Sequence, residues 1–312
     1  MKVLLVHNPA SGDGARVSSA EIVALMRDAG HEVAHKSSTE SWDKLLDQSW
    51  DLVAVAGGDG TVGKVAASLM GRRVPLAVLP LGTANNISNT LGLTEMPLAK
   101  LIAAWSTATR LKFDVGVATG PWGSTSFVES IGVGLFSRTM AKLDARNNIA
   151  LAHVEDAKDR TTWVVQMLHE RLQDSPTVTL KAMLDGHDIS GEYILLEAMN
   201  TRHVGPNLNL APEANPSDGL FDVVRVLKGE QPELEAYLSS HLDGQSDASS
   251  LRVERGQHLQ IDSGGFDVHI DDTSWPGTQG SCSRAPGPID VTIDGHALEF
   301  LVPRGEGAGR GC

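Results

Sequence analysis

Gly57-Gly58-Asp59-Gly60-Thr61 follows the apolar run of residues 51–56 and leads directly into a helical pattern. Glycines let a backbone come close to a ligand, and a helix N-terminus presents free N–H groups at the positive end of its dipole. A strand, a glycine turn and a helix in that order suit a phosphate group. Asp59, in the middle of the turn, would repel phosphate. It is therefore expected to face a divalent cation or an acceptor hydroxyl, the plainer alternative being a helix cap. A second loop, Leu79-Pro80-Leu81-Gly82-Thr83-Ala84-Asn85-Asn86, and a third, His7-Asn8-Pro9-Ala10-Ser11-Gly12, also follow apolar runs. Ligands of open α/β sheets gather beyond the carboxyl ends of the strands, so the three loops are expected to converge on one site.

Those loops need a parallel sheet to position them. Strand-like runs at residues 2–7, 31–35, 51–56 and 76–80 alternate with helical stretches at 15–29 and 61–70, the pattern of a parallel α/β sheet. Val62, Val65, Ala66 and Leu69 fall at i, i+3, i+4 and i+7, so one face of that helix packs down while its start points outward. From about residue 111 the texture changes to β-type runs at 112–118, 177–184, 193–199, 220–227, 251–261 and 267–270, which predicts a second, mostly antiparallel domain. Between them, Trp163, Val164, Met167, Leu168 and Leu172 recur at helical spacing, predicting an amphipathic helix over residues 154–172.

The bulk numbers exclude some functions. The chain has 312 residues, 41% hydrophobic and 21% charged, enough for a substantial core and about two domains. A net charge of -13, with no cluster of basic residues beyond pairs such as Arg72-Arg73, argues against a nucleic-acid groove. The same acidity argues against bulk attraction to an anionic membrane, so a lipid would have to be met through a local apolar or basic patch. The first residues run straight into a strand pattern with no secretory signal, and no stretch reaches the ~18 apolar residues of a membrane span. With Cys282 and Cys312 as the only cysteines, a cytoplasmic protein is expected. Residues 274–288, rich in Gly, Ser and Pro, read as a mobile loop, and the Gly-rich residues 304–312 as a disordered tail.

Taken in order, Asn8-Pro9-Ala10-Ser11-Gly12, Thr39, Gly57-Gly58-Asp59-Gly60-Thr61 and the loop of residues 79–86 resemble the motifs of the diacylglycerol kinase catalytic family, which includes soluble bacterial lipid kinases and the sphingosine and ceramide kinases. The likeness continues with Asn200 at a strand end and with residues 211–222, whose Asp218-Gly219-Leu220-Phe221-Asp222 is similar to the family's Asp-Gly-Leu pattern. The resemblance implies a three-layer α/β ATP-binding domain over residues 1–110, rejoined by about 290–303. It implies a β-sandwich lipid-substrate domain over 111–289, with ATP in the cleft between the two. Asn8, Ser11, Thr39, residues 57–63 (Val62 and Gly63 included) and Thr83 are similar to nucleotide-contacting positions. Asp218, with main-chain oxygens of Asn215 and Leu220, resembles a structural Mg²⁺ site. The partners implied are ATP and a lipid substrate met at the membrane surface. In that setting the helix of residues 154–172 either covers the second sheet or walls a lipid cleft.

The pattern departs from the family at several positions. After the Gly-rich motif stand Gly63 and Lys64, where Asn and Glu are usual, and Asn85-Asn86 replaces Asn-Asp. The family's Asp-Gly-Glu triplet, whose Glu is the proposed general base, aligns with Asp271-Asp272-Thr273, so a Thr stands in place of the Glu. Asp294-Gly295-His296 is a competing alignment that also lacks Glu. Asp272, Asp271 or Asp59 is then the expected substitute base. The alternatives are a small-molecule kinase of the NAD-kinase type and a nucleotide-binding homologue without turnover.

Overall fold

The computed structural model describes residues 1–11, 17–145, 157–174, 176–245, 248–275 and 287–304. The residues expected to form the mobile loop lie mostly outside this set, as do Gly12, the two cysteines and all but the first residue of the tail. The chain divides into two compact units, residues 1–113 with 296–312 and residues 114–295.

The first unit contains β1 (Lys2–His7), α1 (Ser19–Asp28), β2 (Glu32–Ser37), β3 (Leu52–Gly57), α2 (Asp59–Leu69), β4 (Leu76–Pro80), α3 (Asn86–Thr90) and α4 (Leu98–Ala104). Its sheet has the order β2, β1, β3, β4, with every pairing parallel. The two inner strands carry unbroken apolar runs because both of their faces are covered, and all six residues of β3 are buried. Helix α1 starts at a full capping box: the Ser18 side chain accepts from the Glu21 amide at 3.2 Å and the Glu21 carboxylate accepts from the Ser18 amide at 2.7 Å. Helix α2 begins two residues earlier than its apolar period predicts, so that the glycine motif forms its cap and first turn.

Strand β5 (Thr109–Gly120) leaves this unit for the second. There follow β6 (Gly123–Phe127), β7 (Ser130–Gly134), α5 (Leu135–Ala145), α6 (Ala157–Leu172), β8 (Val178–Leu184), β9 (His187–Asp188), β10 (Gly191–Met199), β11 (His203–Val204), β12 (Leu208–Asn209) and β13 (Phe221–Leu227). After them come α7 (Gln231–Leu242), β14 (Arg252–Gly256), β15 (His258–Ser263), β16 (Val268–Ile270), β17 (Thr273–Trp275) and β18 (Gly287–Val302). The last strand returns to the first unit, where Phe300 pairs in parallel with Leu76 of β4 and its ring lies 4.6 Å from that of Phe113. Glu299 there accepts from both Arg110, at 3.2 Å, and Lys112.

In the second unit β10 is the pivot. Its last five residues pair with β7 on one side and β13 on the other, whereas its first three pair with β8. One core fills the space between the sheet layers, with Phe127, Tyr193, Leu196, Phe221 and Ile261 among its members. A second core lies under the helices, where Val165, Leu168 and Leu172 of α6 and Leu234 and Leu238 of α7 pack on Leu195 and Val224. Helix α6 therefore covers the sheet. The run of residues 251–261 is two strands, not one. The Asp185 carboxylate accepts the amides of Gln257, at 3.1 Å, and His258, at 2.9 Å, at the point where the chain passes from pairing β13 to pairing β8.

A charged pair is embedded in this apolar unit. Glu197 of β10 and His269 of β16, at 0% and 1% exposure, meet with His269 Nε2 2.9 Å from both carboxylate oxygens. Burial disfavours the charged ring, but Glu197 and Asp271 together outweigh it and raise the His269 pKa. Gly132 of β7 makes the room, since a β-carbon there would lie 2.0 Å from Glu197 Oε1. Gly132→Ala should therefore displace a buried ion partner and cost roughly 3–5 kcal/mol, read as a fall in the thermal midpoint. A change within ~0.5 kcal/mol, the range of ordinary surface substitutions, would contradict this account.

Candidate functional site

In the first unit the ends of β1, β3 and β4 carry the three loops. Gly58 is the N-cap of α2 and offers no side chain, so no side-chain bond closes that helix end, in contrast to α1. Gly60, Thr61, Val62 and Gly63 lie within its first turns, with Thr61 and Val62 buried. The glycines answer to protein before they answer to a ligand. A β-carbon on Gly82 would lie 2.3 Å from the Gly58 Cα, one on Gly58 would lie 3.0 Å from the Gly82 Cα, and one on Gly57 would meet the Thr61 side chain at 2.9 Å. Besides the room they leave for a phosphate's approach, these glycines let two loops touch backbone to backbone.

Asp59 joins the same two loops. Its Oδ2 accepts from the Asn86 amide and its Oδ1 from the Ile87 amide, each at 3.0 Å. Burial pushes its pKa up and those amides pull it back. A carboxylate with both oxygens bonded at the start of α3 acts as that helix's cap, the plainer of the readings of Asp59. The first loop is tied in through Asn8, whose Nδ2 donates to Thr61 Oγ1 at 3.0 Å and whose amide donates to the Ala56 carbonyl at 2.9 Å. Ser11 is buried and donates its amide to the Asn8 carbonyl at 3.2 Å. Thr83 is partly buried in the Gly82 loop. Thr39 is exposed beyond β2, its hydroxyl 2.9 Å from that of Ser37. Lys64 is exposed on α2.

Asn85 enters the sequence reading only as part of its loop and of the Asn85-Asn86 departure. It takes a left-handed conformation, φ 54°, and its side-chain amide exchanges two hydrogen bonds of 2.9 Å with the backbone of Gly82, as a second peptide group would. Asn is the residue type that tolerates this conformation best after Gly, which was the available signal.

In the second unit Asp271 and Asp272 form the two-residue turn between β16 and β17, with Asp271 at φ 48°. The Asp271 carboxylate accepts the amides of Glu129 at 2.8 Å, Val128 at 3.0 Å and Ser130 at 3.2 Å. These bonds pin the start of β7. Asp272 and Thr273 are exposed, with the Thr273 hydroxyl 3.3 Å from Asp272 Oδ1. Asn200, buried at the end of β10, donates to the carbonyls of Asp114 at 2.8 Å and Val128 at 3.1 Å.

Asn215, Asp218 and Leu220 lie in one turn, but not as an open cation site. Arg255 of β14 donates to Asp218 Oδ2, and the Leu220 amide donates to Asp218 Oδ1 at 3.1 Å. The Asn215 carbonyl accepts the Asp218 amide at 3.4 Å. Asp218, the one side-chain ligand expected for a structural Mg²⁺, is thus already paired with a guanidinium. Elsewhere in this unit a cavity of about 480 Å³ lies between α5 and α6, with Leu135, Trp163 and Met167 for its apolar wall and Arg138 and Arg171 beside them.

Two tests follow from this geometry. Asp59→Asn keeps the shape but can accept only through one oxygen, leaving one amide of α3 unpaired at a cost of about 1–3 kcal/mol. Its thermal midpoint and its nucleotide affinity should fall together; a lowered kcat with both unchanged would return Asp59 to the role of base. Burial pushes the Asp271 carboxyl up from its ordinary 3.8 to about 6, against the pull of the three amides. The folded state then holds the proton more tightly than the unfolded one, so this contribution to stability is full below about 3.8 and is lost as pH rises through about 6. Between those limits the stability of the wild type should decline with pH relative to Asp271→Asn, and parallel curves would refute the assignment.

Among the described residues no helix is long and apolar enough to cross a membrane. Residues 2–118 match the family model of the diacylglycerol kinase catalytic domain, and residues 138–300 match that of the YegS C-terminal NAD kinase beta sandwich-like domain. A diacylglycerol kinase of Mycobacterium tuberculosis is 26% identical over 97% of this chain and 96% of its own length, and one of Bacillus subtilis is 23% identical over 82% and 87%. The crystal structure of a diacylglycerol kinase from Bacillus anthracis superposes with a TM-score of 0.66 at 17% identity, covering 97% of both chains. Yeast NADH kinase superposes more distantly, at a TM-score of 0.50 and 10% identity, and so shares the fold. With a mostly parallel N-terminal domain and a sandwich-like C-terminal one, both matched to their family models, the chain belongs to the diacylglycerol kinase catalytic-domain family in its YegS-like, two-domain form.

Proposed function

We propose that this protein is an ATP-dependent lipid kinase that transfers the γ-phosphate to a hydroxyl of diacylglycerol or a related amphiphile. The observation that carries the reading is the start of α2, a helix end with no side-chain cap at the carboxyl edge of a parallel sheet, braced by two glycine loops in backbone contact. Such an end offers amides and a favourable dipole to phosphate oxygens. Asn8, Ser11, Thr39, Thr83 and the backbone of residues 57–63 would hold the nucleotide, which enters with its own Mg²⁺. The cavity between α5 and α6 supports an amphiphilic acceptor, since it sets an apolar wall beside charged groups of both signs, Arg138 and Arg171 with Glu170 and Asp174. Phosphoryl transfer depends on positioning and charge more than on a strong base, so loss of the family's Glu at Thr273 is compatible with turnover.

With Asp59 and Asp271 bonded to backbone amides, Asp272 is the carboxylate proposed to take the proton of the acceptor hydroxyl. Asp272→Asn should lower kcat by about 10²-fold or more with the KM for ATP nearly unchanged. Because the side chain is exposed, its thermal midpoint should not move. An unaltered kcat would remove Asp272 from the mechanism. The reading as a whole is tested by labelled ATP and Mg²⁺ with diacylglycerol, monoacylglycerol, ceramide, a sphingoid base and NAD. Phosphorylation of a lipid is expected. Phosphorylation of NAD alone would establish the small-molecule kinase, and ATP binding without any product would establish a homologue that has lost turnover.

A further inference from the structure

The turn of residues 215–222 holds two acidic side chains on one edge of the sandwich, Asp218 and the nearly buried Asp222. The resemblance to the lipid kinases implies a structural divalent cation in this turn. Here β14 runs antiparallel to β13 and sets Arg255 directly across from Asp222. The guanidinium reaches both carboxylates: it bonds Asp218 Oδ2, and its Nε stands 3.7 Å from Asp222 Oδ1. The rest of the turn is closed by protein groups as well. Gly219, at φ 73°, donates its amide to Asp114 Oδ2 at 2.7 Å, the Asp114 amide donates to the Pro216 carbonyl at 2.7 Å, and Gln257 Nε2 donates to the Gly219 carbonyl at 3.2 Å.

We propose that Arg255 is the built-in cation of this turn, and that it replaces the structural Mg²⁺ which the likeness to the lipid kinases leads one to expect. Two cations compete for a single carboxylate. A magnesium ion on Asp218 would set its two charges against the guanidinium already bonded to Oδ2, and that repulsion disfavours sharing the group. Arg keeps its charge at any working pH, and its planar fork can serve two acceptors at once. Removing it would leave two carboxylates facing each other, one of them almost without solvent. In this chain the turn is closed by a covalently attached charge, and Mg²⁺ is required only as the companion of ATP.

The test uses the full chain and does not read phosphoryl transfer, so it stands or falls independently of the proposed reaction. Thermal unfolding of the wild type is compared after chelation and in saturating Mg²⁺, with elemental analysis of the purified protein. The expected result is one midpoint in both conditions and no stoichiometric metal. Arg255→Gln should unfold several degrees lower after chelation and recover part of that loss when Mg²⁺ is added. Asp218→Asn in the same background should recover stability without metal, because the uncompensated charge is gone. Should Arg255→Gln fail to fold, Arg255→Lys, which keeps the charge but loses the fork, is expected to fold with an intermediate midpoint and no gain from Mg²⁺. A wild type that loses stability on chelation and regains it with Mg²⁺, or that retains one metal per chain, would overturn the proposal. So would an Arg255→Gln variant with an unchanged midpoint.

Discussion

The candidate nucleotide site hangs on one carboxylate. Asp59 begins α2 and closes the start of α3 with both of its oxygens, so the helix that follows β3 and the loop that follows β4 cannot move apart without uncovering two amides. Around that link the neighbouring contacts become mutually dependent. Gly58 and Gly82 touch because Asp59 draws their loops together, and Asn8 reaches Thr61 because the first turn of α2 is held at that depth. The rigidity needed to bind a flexible triphosphate chain thus comes from a partly buried acidic group, the residue type least expected beside phosphate. Positioning of this kind is what phosphoryl transfer draws on.

The parallel sheet was legible because its inner strands are covered on both faces and therefore read as unbroken apolar runs. The glycine motif was legible as a strand-to-helix turn, and the comparisons bear out the family that its motifs suggested. What the sequence could not reveal was where each polar atom is spent. Asp59, Asp271 and Asp218 look alike as exposed loop acids in a sequence, yet one caps a helix, one pins the start of a strand and one pairs with an arginine thirty-seven positions later. Local pattern cannot distinguish a carboxylate free for chemistry from one consumed by the fold, because the consuming amides arrive from distant segments. The split of the run at 251–261 was hidden for the same reason: Asp185, which enforces it, lies on another hairpin.

The second unit shows how a sandwich accommodates polar interior groups. Glu197 and His269 satisfy each other in a space that exists only because position 132 lacks a side chain. Asn200 and Asp271 tie down the residues that enter β7, one through carbonyls and the other through amides. Val128 is held at both its N–H and its C=O. The hairpin that carries Asp272 is thereby anchored beside its exposed tip, the condition for an exposed group to act from a fixed position.

The first unit is discontinuous in sequence, and this bears on the order in which the protein can assemble. The strand that lies against β4 includes Phe300, separated from Leu76 by on the order of two hundred residues. Until those residues have left the ribosome, β4 presents an open edge, and the nucleotide-binding half must wait with an unfinished sheet. Residues 114–295, by contrast, hold their own cores and emerge as one stretch. Synthesis therefore favours a sequence in which the later-encoded unit consolidates first and the earlier-encoded one closes last, the reverse of the usual N-terminal-first order. A nascent chain halted within β18, after Gly295, would carry the whole second unit and an adhesive edge on the first, and that intermediate is the one a cell's chaperones would have reason to shield.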